Sequence, residues 1–234
     1  MNRKGLLTSL IFLAGFVSCS SATRLSNLPN ISSFESTPSS QFFIANDDLN
    51  RIHSTHPFKG QNSGCAHAGA HVAFSNEDTP YQVNIYAPVD GYIANIDTCF
   101  DLGDADRFGL GIVFAKTDND EPVEFYFSIE PAEQHRCLSN PTFYDQYVLV
   151  EDGQTVSAGD LIAIYPKFAD QETSGPHIHF HLADTSEHYC PNIFSDSVKE
   201  TFGSLYNDET CDDEPFGEDT FCFAASDSER LLAD

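Results

Sequence analysis

Polar and apolar positions alternate strictly from His177 to Leu182: His177, His179 and His181 fall on one side, Ile178, Phe180 and Leu182 on the other. Read as a strand, period two puts three imidazoles on one face and three apolar side chains on a buried face. Ser174-Gly175-Pro176, just ahead, are turn formers that would start this strand. The same short-period pattern predicts strands over Tyr81 to Ala87, Tyr92 to Ile96, Gly109 to Ala115, Val123 to Ile129, Tyr147 to Val150 and Leu161 to Tyr165. Pro88-Val89-Asp90-Gly91 reads as a tight turn, and Gly153 and Gly159 as two sharp corners. A short helix is expected from Asp47 to His53, capped by Asn46 or Asp47, and no long 3.6-residue apolar period occurs. The pattern therefore predicts an all-β fold, a compact antiparallel sheet that is barrel-like or sandwiched, with loop inserts at 98–108 and 130–146. Each insert carries one cysteine, Cys99 or Cys137, so a staple between them is expected.

Composition narrows the function classes. The chain has 234 residues, 41% of them hydrophobic and 20 of them Phe, enough for a real core. With 36 acidic against 11 basic residues the formal net charge is −25. That balance opposes nucleic acid, whose phosphates need Lys or Arg, and electrostatic adhesion to an anionic membrane surface. Arg3 and Lys4 followed by the apolar run Leu6 to Val17 read as a targeting segment too short to span a bilayer as a resident helix. Phe16-Val17-Ser18-Cys19-Ser20 resembles a bacterial lipoprotein signal, with Phe in place of the usual Leu and Cys19 as the lipidated residue. The chain has seven cysteines; setting Cys19 aside leaves Cys65, Cys99, Cys137, Cys190, Cys211 and Cys222, a framework of up to three disulfides in an exported chain.

The organisation expected is a signal peptide with its lipidation site over 1–19 and a flexible Ser/Thr/Asn/Pro-rich tether over 20–45. A domain over 46–190 and an acidic, disulfide-pinned extension over 191–234 follow. The protein is expected to be exported to a bacterial cell envelope, touching the membrane only through its lipid anchor.

A second histidine pair lies upstream in His67-Ala68-Gly69-Ala70-His71, where Gly69 permits close approach of a backbone or ligand. Two imidazoles here and three on the distant strand exceed the three or four nitrogen donors that zinc needs. The ordered set HAGAH, APVDGYI, GLGIVF, FYFSIEP, EDGQTVSAGDLIAIYP and SGPHIHFH resembles the lysostaphin/LytM-type zinc endopeptidases, over roughly residues 52–184. The resemblance implies a β-rich fold with a zinc site in a groove across the sheet, and a peptidoglycan peptide or another protein's peptide segment as the partner.

Carried over by position, the resemblance makes His67 and His179 zinc ligands and His177 the residue that assists catalysis. It places His71 where the family has an aspartate ligand, and three neutral imidazoles also make a competent zinc site. Ser128, in Tyr126-Phe127-Ser128-Ile129, stands where the family has a second catalytic histidine, and serine cannot serve as a general base near neutral pH. Tyr126 or His135 is a candidate to fill that place. His181 replaces the glutamate that usually follows the His-x-His-Phe run. These substitutions leave two main readings, a zinc endopeptidase and a catalytically impaired binding or regulatory module that retains zinc; periplasmic metal capture is a third.

Overall fold

A computed structural model describes residues 24–58, 69–77, 79–101, 106–131, 136–168, 175–184, 188–206 and 221–222. The expected signal segment with Cys19, and His67, Cys65, Cys211 and His135, lie outside these residues. Ten strands form among the described residues, and the architecture is all-β as expected: β1 (Ile52–His56), β2 (Ala70–Phe74), β3 (Tyr81–Tyr86), β4 (Gly91–Asp101), β5 (Asp106–Lys116), β6 (Pro122–Glu130), β7 (Thr155–Val156), β8 (Leu161–Lys167), β9 (His177–Ala183) and β10 (His188–Tyr189). The main sheet runs β1-β2-β9-β6-β5-β4-β7, with β10 also on β9, and every pairing in it is antiparallel. It is open rather than a closed barrel. A two-stranded sheet of β3 and β8 packs on it, with Phe74 of β2 stacked on Tyr165 of β8 at 4.2 Å between ring centroids.

Period two works on β9 as the sequence predicts. Ile178, Phe180 and Leu182 are fully buried while the histidines between them reach the other face. Phe180 sits among Phe43, Phe125, Phe202 and Phe221, with ring centroids 4.8 to 6.0 Å away. Gly153 and Gly159 turn their corners with φ of 75° and 91°, a region that side chains with a Cβ rarely enter.

Several elements differ from the expectation. Tyr147 to Val150 is not a strand; Asp145–Tyr147 is a 3-10 turn and only Val148 bridges, to Ala163. The helix expected from Asp47 is a 3-10 turn over Asn46–Arg51 whose cap, Ala45, has no side-chain acceptor to offer. Much of the insert expected at 98–108 is strand, because β4 and β5 continue as one long hairpin as far as the Asp101–Asp106 pair. The Cys99–Cys137 disulfide expected between the two inserts is present and ties the end of that hairpin to Arg136–Ser139.

Both flanks of the domain pack on it. Within the segment read as a tether, Ile31, Phe42, Phe43 and Ile44 are buried. Within the segment read as an acidic extension, Ile193, Phe194, Val198, Phe202 and Phe221 are buried, and the helix Asp196–Ser204 accepts a 2.7 Å hydrogen bond from the Thr55 hydroxyl at Phe202. A second disulfide, Cys190–Cys222, pins the far end of that segment. No helix among the described residues is long and apolar enough to cross a membrane.

Candidate metal centre and groove

The polar face of β9 meets the matching face of β6. In register, Glu130 lies opposite His177, Ser128 opposite His179 and Tyr126 opposite His181. The Nε2 atoms of His177 and His179 are 2.8 Å apart. Glu130 closes the group, one carboxylate oxygen 3.2 Å from His177 Nε2 and the other 3.8 Å from His179 Nε2. Among the described residues, Glu130, His177 and His179 are the group whose donor atoms converge closely enough to hold a metal ion.

Neighbouring groups orient these three. Nδ1–H of His177 donates to the Gly175 carbonyl at 2.7 Å, which turns Nε2 toward the group, the arrangement that metal-binding histidines ordinarily show. The Ser128 hydroxyl donates to Glu130 at 3.1 Å. Burial alone would raise the Glu130 carboxyl, but its hydrogen bond to His177, the charges of His177 and His179 and the Ser128 bond outweigh it and hold it at about 2. His177 shows the reciprocal effect: burial lowers it, and the Glu130 partner raises it further, for a net upward shift.

The donor set fits zinc, which takes imidazole nitrogen and carboxylate oxygen in tetrahedral sites. His71, expected as a ligand, lies beside the group with its ring 5.2 Å from that of His179, and it stacks at 4.2 Å on His56, whose Nε2 is 3.1 Å from the Ser54 hydroxyl. Glu130, at the start of the insert expected over 130–146, is instead the last residue of β6. The signal was there in the alternation of Tyr126, Ser128 and Glu130 on one face.

The group opens onto a groove of about 570 Å³. Two of its lining side chains on β6, Tyr126 and Glu124, lie down over Gly109 and Gly111 of β5. A Cβ at Gly109 would meet the Tyr126 hydroxyl at 2.6 Å, and a Cβ at Gly111 would fall within the Glu124 carboxyl. Tyr126 packs on His181 at 5.5 Å, and His181 stacks on His188 at 4.1 Å. Burial, then the charges of His188 and His179, push His181 down to about 3, so it is a neutral wall of the groove. At Asn95 the β4–β5 ladder is broken by a register shift and φ is 53°, which turns its amide onto Glu124.

Burial holds the Glu124 carboxyl up at about 7 against the Asn95 hydrogen bond, with one oxygen lacking any hydrogen-bond partner among the described residues. Because the folded value lies above the unfolded one, its stabilising effect is complete below about 4.5 and is lost as pH rises through about 7. Glu124→Gln keeps the shape and removes the charge. Urea unfolding should therefore find the variant close to the parent at pH 4.5 and more stable by on the order of 2–3 kcal/mol at pH 8.5. Parallel pH profiles for the two proteins would contradict this account of Glu124.

No protein-family model and no curated protein sequence matches the chain. Among solved structures the chain is similar to the SpoIIQ–SpoIIIAH pore-forming complex, with a TM-score of 0.42 and 14% identity, covering 70% of this chain and 96% of that one. It is similar to a zinc-containing peptidase from Vibrio cholerae, with a TM-score of 0.37 and 16% identity over 64% of this chain, and spans 38% of that protein. Lysostaphin is also similar, with a TM-score of 0.34 and 16% identity over 72% of this chain, of which the chain spans 57%.

Proposed function

We propose that this protein is an exported zinc metalloendopeptidase-like protein that acts on peptidoglycan peptides. The observation that carries the reading is the meeting of two imidazole nitrogens and a carboxylate at one end of an open groove on the sheet. Glu130, His177 and His179 would hold the metal, with His71 alongside. A bound zinc ion supplies Lewis acidity, polarising an amide carbonyl and lowering the pKa of water. The chain's own residues hold and orient: the Gly175 carbonyl fixes the His177 ring, and Ser128 fixes Glu130. The two disulfides support export, since such bonds persist in oxidising compartments. A lipid anchor at Cys19 remains part of the proposal.

One observation favours the second reading, a binding or regulatory module with impaired catalysis. Ser128 is buried and its hydroxyl is committed to Glu130, so the place of the second catalytic histidine offers no base. Release of soluble fragments from purified cell wall separates the two. Slow release by the parent, none by His179→Ala, and an increase of up to about a hundredfold for Ser128→His are expected, because position 128 lines the groove directly opposite His179. If the parent and Ser128→His both match the buffer blank with zinc bound, the binding module is the function.

A further inference from the structure

The groove contains both acids and a base, and they differ in how they are satisfied. Glu130 is held by His177, His179 and Ser128; Asp184 accepts a 2.8 Å hydrogen bond from the Tyr189 hydroxyl; Glu124 accepts from Asn95. Arg107 lines the same groove, and among the described side chains no carboxylate lies within ion-pair distance of it. The arginines and lysine that flank the sheet elsewhere are engaged: Arg24 with the Gly153 carbonyl, Arg51 with Glu77, Lys116 with Asp120.

Arg107 is also held in place. Its guanidinium lies 4.2 Å over the ring of Phe100, its register partner across the β4–β5 hairpin. Phe100 adjoins Cys99, which the disulfide to Cys137 anchors. Phe100 itself is 41% exposed, an apolar side chain kept at the surface under a guanidinium. A planar fork so positioned matches a carboxylate in two parallel hydrogen bonds. In a chain of net charge −25, an anion meets repulsion over most of the surface, so a local cation decides where one can dock.

We propose that Arg107 is the carboxylate-binding point of the groove, and that the groove selects peptides carrying a free carboxylate, either at the C-terminus or on an acidic side chain. The raised Glu124 carboxyl is compatible with this, since its acid form does not repel an anion in mildly acidic solution. The proposal rests on the reading of the groove as the peptide-binding site, but not on turnover.

Calorimetric titration of the full zinc-loaded protein tests it, with the peptide recovered and checked for cleavage. The probes are N-acetyl-trialanine as acid and as carboxamide, and N-acetyl-Ala-Glu-Ala-amide against its Gln counterpart. At least one acid should bind about tenfold more tightly than its neutral partner. Arg107→Gln should abolish that preference, Arg107→Lys should keep part of it, and zinc content should stay at the parent level in both. The acid that shows the preference identifies which carboxylate is read. Equal binding of acids and neutral peptides, a preference that survives in Arg107→Gln, or no binding by any probe overturns the proposal. Preference without cleavage leaves this proposal standing, with the peptidase reading decided by the cell-wall assay; cleavage without preference overturns this proposal and leaves the peptidase reading standing.

Discussion

Alanine in place of Phe180 is expected to destabilise the protein by about 3–5 kcal/mol. Phe180 is fully buried at the centre of β9, on the face away from the histidines, and pairs in register with Phe127 on one side and Ala70 on the other. Its ring touches residues from three parts of the chain: Phe43 ahead of the first strand, Phe125 of β6, and Phe202 with Phe221 beyond the last. Truncation would remove an aromatic side chain and leave a cavity that strands on both sides cannot close without shifting. For a chain of this size the loss corresponds to a fall in Tm of roughly 10 °C. Denaturant unfolding checks it, and a loss below about 1 kcal/mol would mean that this aromatic cluster is not the core.

The largest effect on function is expected at the metal group. His179→Ala removes an imidazole donor, and Glu130→Ala removes the carboxylate that both imidazoles face. Groups that only orient a ligand cost 10- to 100-fold in metal affinity when lost, so removal of a donor should cost at least about a hundredfold. Ser128→Ala, which deletes only the hydrogen bond to Glu130, should fall in the smaller range. Zinc titration against a competing chelator ranks the three variants. If Glu130→Ala binds as the parent does, the carboxylate is not a donor and the site lies elsewhere, toward His71.

How much of this was legible in the sequence depended on whether the signal was local. The β9 strand could be read because His177 to Leu182 repeats with period two, and local alternation is what a half-buried strand requires. The glycine corners at 153 and 159 could be read for the same reason, since left-handed φ is a property of single residues. Glu130 could not, although it alternates with Ser128 and Tyr126, because nothing local says that β6 and β9 pair with Glu130 opposite His177. The packing of Phe194, Phe202 and Phe221 was hidden likewise: these aromatics sit in Ser- or acid-rich surroundings, and only long-range contact makes them core. Tyr147 to Val150 failed in the other direction, a short apolar run whose strand propensity is overridden by a 3-10 turn against β8.

Anomalous diffraction at the zinc edge, from crystals of zinc-loaded protein, tests the account most directly. A single peak bonded to His177, His179 and Glu130 is predicted. A peak held by other residues without Glu130, or no peak from protein that is folded and saturated with zinc, would contradict it.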